Sequence, residues 1–294
     1  KSILLTVMAA ALAFSLTGCA VGSANAANSS AASSSIVEVT IAGLESTTIA
    51  TTAATAAAES SSETAAATTA ASTAAALSSS LAGIDPSKAI ALTFDDGPDP
   101  KVTNRILDVL EKYNSRATFF VVGQAVKEWF PTSGPACLQR ASALGCEIGT
   151  HTYDHANLNK LTSAQVLDEV NKGVAAITDA TGKPVTLMRT PYGNLTDEVK
   201  AELNYPLINW DIDTEDWKSK NADTVTQKVL SEVHGGAIIL MHDIYSTSAD
   251  AVEKFVPELI KQGYVLVTVP ELYAIYGKTL DAHSEYFGPK ETTK

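Results

Sequence analysis

The chain has 294 residues, 45% of them hydrophobic, and its 33 acidic against 21 basic side chains give a formal net charge of −12. That balance excludes the dense Lys/Arg surface on which phosphate neutralisation depends, so no nucleic-acid partner is expected and a neutral or cationic one fits better. The same acidity also serves the solubility of an exported protein.

Lys1 to Cys19 opens on a basic residue, continues through an apolar run from Ile3 to Leu16 and closes on Leu16, Thr17, Gly18 and Cys19. This is the grammar of a signal peptide, too short for an ordinary transmembrane helix. Its last four residues resemble a bacterial lipobox, which implies acylation of Cys19 and a lipid-anchored protein on the outer face of the cytoplasmic membrane or in the cell envelope; an ordinary secretory signal is the alternative. Residues 20–83 are rich in Ala, Ser and Thr and are expected to form a disordered, low-complexity tether. Within it, Ile36 to Leu44 alternates like a strand, and a poly-Ala helix competes with the tether reading.

Residues 84–278 carry the foldable pattern, and a segment of roughly 195 residues buries a single core without help from disulfides. Residues 279–294 read as a C-terminal tail. Strand-like runs at Ala89 to Phe94, Ala117 to Val122, Glu147 to Thr150, Val185 to Arg189, Leu207 to Ile212, Ala237 to Met241 and Val265 to Val269 alternate with amphipathic stretches. Val102, Ile106, Val109, Leu110 and Tyr113 recur at helical spacing, as do Val166, Val170, Val174 and Ile177. Thr162 with Gln165, and Thr224 with Gln227, have the spacing of capping boxes. The pattern predicts an α/β fold, a distorted (β/α)7-type barrel, with any chemistry gathered at the C-terminal strand ends. Cys137 and Cys146 could pair or stay as buried thiols, and neither belongs to a CxxC pair.

The strand ends are rich in ionisable residues. The first runs into TFDDGP, with Asp95 and Asp96 side by side at a turn; the third runs into GTHTYDH, with His151 and His155 four apart. The fourth ends in RTPYG, giving Arg189 and Tyr192; the fifth continues into DIDTEDW, giving Asp213, Asp216 and Trp217; the sixth ends in LMHD, giving Leu240 and His242. Each has a bland reading by itself, as turn chemistry, a surface ion pair or a core histidine. Their coincidence at successive strand ends points instead to a metal-assisted acid–base site.

TFDDGP, HTYDH, RTPYG, DTEDW and LMH, in this order, resemble the five motifs of the polysaccharide deacetylase family, carbohydrate esterase family four, and the likeness covers Ala89 to Leu272. The resemblance implies a distorted (β/α) barrel and one divalent metal ion, usually zinc, with cobalt or another divalent ion also possible, held by Asp96, His151 and His155. It makes Asp95 the general base, paired with Arg189, and His242 the general acid, supported by Asp216. It places the backbone N–H of Tyr192 at the developing oxyanion and Trp217 and Leu240 around the acetyl methyl. Thr190, Thr150 and Cys146 depart from residues common in the family without removing any of these groups. The activity implied is hydrolysis of N-acetyl groups on N-acetylglucosamine units, with peptidoglycan as the leading polysaccharide substrate and a monomeric catalytic domain. Chitin-type oligosaccharides, acetyl-xylan and non-catalytic wall binding are the alternatives.

Overall fold

The computed structural model describes residues 81–289, so the signal segment, Cys19, the strand-like run at Ile36 to Leu44 and nearly all of the Ala/Ser/Thr segment lie outside the described residues. No helix among the described residues is long and apolar enough to cross a membrane.

The first strand, β1 (Ala89–Asp95), is buried along its whole length, as expected of a central parallel strand covered on both faces. Helix α1 (Pro100–Lys112) follows, started by the Asp99 side chain, which accepts from the Lys101 N–H, and by a proline in its first turn. Its predicted stripe packs inward through Val102, Ile106, Val109 and Leu110. The chain continues through β2 (Thr118–Val121), α2 (Ser133–Ala143), β3 (Glu147–Thr150), α3 (Ser163–Thr181) and α4 (Asp197–Glu202). Then come β4 (Leu207–Ile208), β5 (Ile212–Asp213), α5 (Asp216–Ser219), α6 (Ala222–Glu232), β6 (Ile238–His242), α7 (Ser246–Lys261), β7 (Val265–Leu266), α8 (Val269–Ile275) and β8 (Glu285–Tyr286).

The main sheet runs β3-β2-β1-β6-β5, and all of its pairings are parallel. Single bridges from Met188 to Thr150 and to Leu207 carry the path from β3 to β4. Because β4 and β5 are two halves of one segment, that path returns to β6 and closes a ring. β7 pairs with Ala89 and Ile90 at the entry of β1, and its Leu266 carbonyl accepts from the Arg116 N–H just before β2. It fills the splay between β1 and β2 instead of taking a separate place in the ring.

Several predicted elements differ in detail. The strand expected at Val185 to Arg189 is reduced to the bridge at Met188; Pro184 and Pro191 flank it, and proline neither donates to a ladder nor leaves its predecessor free. The strand expected at Leu207 to Ile212 breaks at its centre, where the Asn209 N–H donates to the Tyr286 carbonyl and Asp211 Oδ1 accepts from the Ile238 N–H. The strand expected to reach Val269 stops early because Thr268 and Glu271 form a capping box that opens α8 at Val269. In the segment read as a tail, Glu285–Tyr286 pairs in parallel with β4.

The Thr162–Gln165 box forms as expected. Thr224 does not cap its helix: Asn221 does so one turn earlier, accepting from the Thr224 N–H, in keeping with the strong preference of asparagine for that position. Cys137 and Cys146 are buried free thiols.

Candidate active site

The site is built where β1 ends. Asp95 is its last residue, and Asp96 next to it turns into the left-handed region with φ 74°, a conformation Asp tolerates better than most residues. Asp96 Oδ1 is buried and has no hydrogen-bond partner. It lies 3.3 Å from His155 Nε2 and 3.6 Å from His151 Nε2. His151 Nδ1 sits 2.7 Å from the Arg189 carbonyl oxygen; a proton on Nδ1 donates there and leaves Nε2 as a bare lone pair aimed at Asp96. His155, with φ 63°, is turned toward the same point.

The ligand atoms of Asp96, His151 and His155 all lie within 4.8 Å of one another. An orphaned buried carboxylate oxygen facing two imidazole nitrogens is unfavourable without a cation between them. One carboxylate and two imidazoles also leave positions open for water and substrate on a divalent ion. The residues present therefore fit a divalent metal.

Arg189, expected at a strand end, is fully buried inside the ring. Its guanidinium donates to Asp95 Oδ1 and Thr93 Oγ1, each at 2.8 Å, and to the carbonyls of Ile208 at 2.8 Å and Asn209 at 2.9 Å. It stacks 4.3 Å from the Phe120 ring centroid, a pairing that suits a planar, weakly hydrated cation. Asp95 is thus held by a charge-assisted hydrogen bond on one oxygen, while Oδ2 lies 3.8 Å from His151 Nε2.

Beside Asp95 on the neighbouring strand, His242 ends β6 with Nδ1 2.8 Å from Asp216 Oδ1. Asp216 also accepts from the His242 and Trp217 N–H groups, each at 2.9 Å, and from Ser248 Oγ at 2.5 Å. That network fixes the ring and leaves Nε2 facing the cleft. Burial pushes the imidazolium down, but the bond and charge of Asp216, with the more distant Asp95 and Asp96, outweigh it and raise His242 to about 9.

Asp95, Asp96, His151, His155, Tyr192, Trp217, Leu240 and His242 line one cleft of about 400 Å³, joined by Trp210 and Tyr245. Arg189 and Asp216 stand behind it, each reaching a lining residue through a hydrogen bond. Tyr192 has φ 66° and an exposed ring packed edge-on against His155; Gly193 beyond it has φ 60°, and a Cβ there would sit 2.5 Å from Trp210. Sequence reasoning did not find Thr93, Trp210, Tyr245 or Ser248. Ser248 lies in α7, and only the fold brings its hydroxyl to Asp216.

Barrels with this arrangement at the strand ends form a recognisable class, and comparison with known proteins places the chain within it. The family model "Polysaccharide deacetylase" matches residues 82–206. The chain is 42% identical over 201 residues to the peptidoglycan-N-acetylglucosamine deacetylase PgdA of Listeria monocytogenes, covering 68% of this chain and 41% of that protein. It matches the structure of the peptidoglycan deacetylase PdaC from Bacillus subtilis with a TM-score of 0.63 and 42% identity, over 66% of this chain and 94% of that one. A family 4 acetyl xylan esterase from Clostridium thermocellum, solved with a cobalt ion, matches with a TM-score of 0.65 and 30% identity, over 69% of this chain and 100% of that one. The chain belongs to the polysaccharide deacetylase family. It spans about two fifths of the length of the first curated relatives it matches.

Proposed function

We propose that the chain is a metal-dependent hydrolase removing acetyl groups from N-acetylglucosamine units of a cell-wall polysaccharide, peptidoglycan first. The observation that carries this reading is the placement of Asp95 with Arg189 and of His242 with Asp216 at the ends of the neighbouring strands β1 and β6, with the Asp96, His151 and His155 ligand atoms beside Asp95. The names of the first relatives point the same way in substrate.

Asp96, His151 and His155 would hold a divalent ion, zinc by the match of two imidazoles and a carboxylate to that metal, and the ion would supply Lewis acidity to the reaction. Asp95, oriented by its hydrogen bond from Arg189, takes the proton from the attacking water. The Tyr192 N–H donates to the developing oxyanion. His242 Nε2–H gives its proton to the departing amine nitrogen, while Asp216 holds Nδ1 and favours the protonated ring. Trp217 and Leu240 shape the space for the acetyl methyl, which limits the acyl group that fits.

The test is incubation of zinc-loaded protein with peptidoglycan, chitin fragments and acetyl-xylan, followed by acetate assay and mass spectrometry. Acetate with a new free amine on peptidoglycan is expected. Acetate from the ester alone would transfer the reading to O-deacetylation, and no acetate from any of the three would end it.

The export signal and the lipid anchor at Cys19 belong to the same proposal, supported by the residues 1–19 alone. Labelled palmitate is expected on the wild-type protein and absent from Cys19→Ala. An unlabelled wild type would remove the anchor and leave the catalytic reading intact.

A further inference from the structure

We propose that Asp243 is a positioning residue that holds the Asp96 turn in the shape metal binding requires, an inference that rests on the metal-site reading above. Asp243 follows His242 directly at the end of β6 and is 1% exposed. Its Oδ2 accepts from Thr103 Oγ1 in α1 at 2.6 Å, yet its Oδ1 is buried with no hydrogen-bond partner. Burying a further carboxyl behind Asp95 and Asp96 is electrostatically unfavourable, so ordinary packing does not account for it.

What the carboxyl touches does. A Cβ placed on Gly97 would meet Asp243 Oδ1 at 2.1 Å, Oδ2 at 2.3 Å and Cγ at 2.4 Å. The carboxyl therefore lies flat against the bare Cα of Gly97, the residue immediately after Asp96. Only glycine allows that approach. The Asp243 N–H also donates to the Asp95 carbonyl at 3.3 Å, so one residue touches the chain on both sides of the ligand. With Thr103 bracing it from α1, Asp243 clamps the left-handed turn at Asp96 and ties it to the strand that carries His242. Holding a ligand through its own backbone neighbours is the kind of support on which metal affinity depends.

Zinc affinity by chelator competition, measured with the thermal midpoint of the metal-free protein, tests this in the wild type, Asp243→Asn, Asp243→Ala and Thr103→Val. Asp243→Ala is expected to bind zinc about 10- to 100-fold more weakly, Asp243→Asn, which keeps the flat group over Gly97, within about threefold, and Thr103→Val between them. The order of affinities should not follow the order of thermal midpoints. Wild-type affinity in Asp243→Ala, or equal losses in the Asn and Ala variants, would overturn the proposal. Where Asp243→Ala does not fold, Thr103→Val decides, since it frees the carboxyl to turn and unchanged affinity there counts against the clamp. A wild type that binds no zinc would overturn the metal site and this inference together, whereas a zinc-binding wild type matched by its variants overturns only the inference.

Discussion

Arg189 Nη1 lies 2.8 Å from Asp95 Oδ1 in an ion pair enclosed by the barrel, the arginine fully buried and the aspartate nearly so. A buried charge stripped of its partner costs far more than the pair contributes net, so Arg189→Met is expected to lose about 3–5 kcal/mol of stability, read as the shift in urea unfolding at constant slope. The double variant Asp95→Asn/Arg189→Met should recover part of that stability and none of the activity. A single-variant loss under about 1 kcal/mol would mean that solvent reaches Asp95.

His242 carries the pH dependence. Its folded value of about 9 stands above the ordinary 6.5, so the pairing with Asp216 contributes stability in full below about pH 6.5 and loses it as the pH rises through about 9. In metal-free protein, the stability gap between wild type and Asp216→Asn should therefore shrink between those limits. The alkaline limb of the rate profile should move toward lower pH in the same variant. Binding of a cation should lower the His242 midpoint seen by NMR, because it offsets the Asp95 and Asp96 charges that help to raise it. A gap constant from pH 6 to 10 would contradict the pairing.

Metal removal should abolish acetate release and readdition of zinc should restore it. Ligation also stabilises the folded state by mass action, about 2.7 kcal/mol at a hundredfold excess over Kd, so the melting midpoint of the wild type should rise with zinc. Asp96→Ala and His151→Ala should show neither the rise nor the activity. Equal zinc-induced shifts in those variants would place the ion elsewhere.

Trp217 is 46% exposed, so its contribution belongs to the cleft more than to the core. Trp217→Ala is expected to lower kcat/KM on a soluble N-acetylated oligosaccharide at least tenfold, about 1.4 kcal/mol of transition-state stabilisation, with stability held within about 0.5–1 kcal/mol. Circular dichroism melts and steady-state kinetics on one preparation separate the two effects.

Much of the site was legible because the residues that line it terminate strands, where local sequence and position in the fold coincide. Asp95, Asp96 and His242 follow apolar runs, His151 follows the short strand EIGT, and the strands themselves mark where the barrel opens. Residues whose contribution comes from tertiary placement left no such mark. Thr93 reads as an ordinary strand residue until Arg189 reaches it from another segment, and Ser248 as an ordinary helix residue until α7 folds over Asp216. Strand limits failed where backbone groups found partners outside a ladder: Asn209 pairs with Tyr286, from a segment that carries no strong strand pattern of its own. The helix after Asn221 was misplaced by a turn because Thr224 and Asn221 both belong to the set of capping residues and spacing alone does not rank them.

The ring closes at Met188 on isolated bridges, and beside that thin seam Arg189 donates to Ile208 and Asn209 on the next segment and to Thr93 and Asp95 across the interior. The arginine that orients Asp95 is thus also a crossbeam of the barrel. Selection on folding alone would preserve it after activity had ceased to matter, whereas the partly exposed His155 carries no such structural duty. In descendants of such a chain that decay toward inactivity, an intact Arg189 would be a poor witness to catalysis, and erosion should be sought first at the histidine pair and at Trp217.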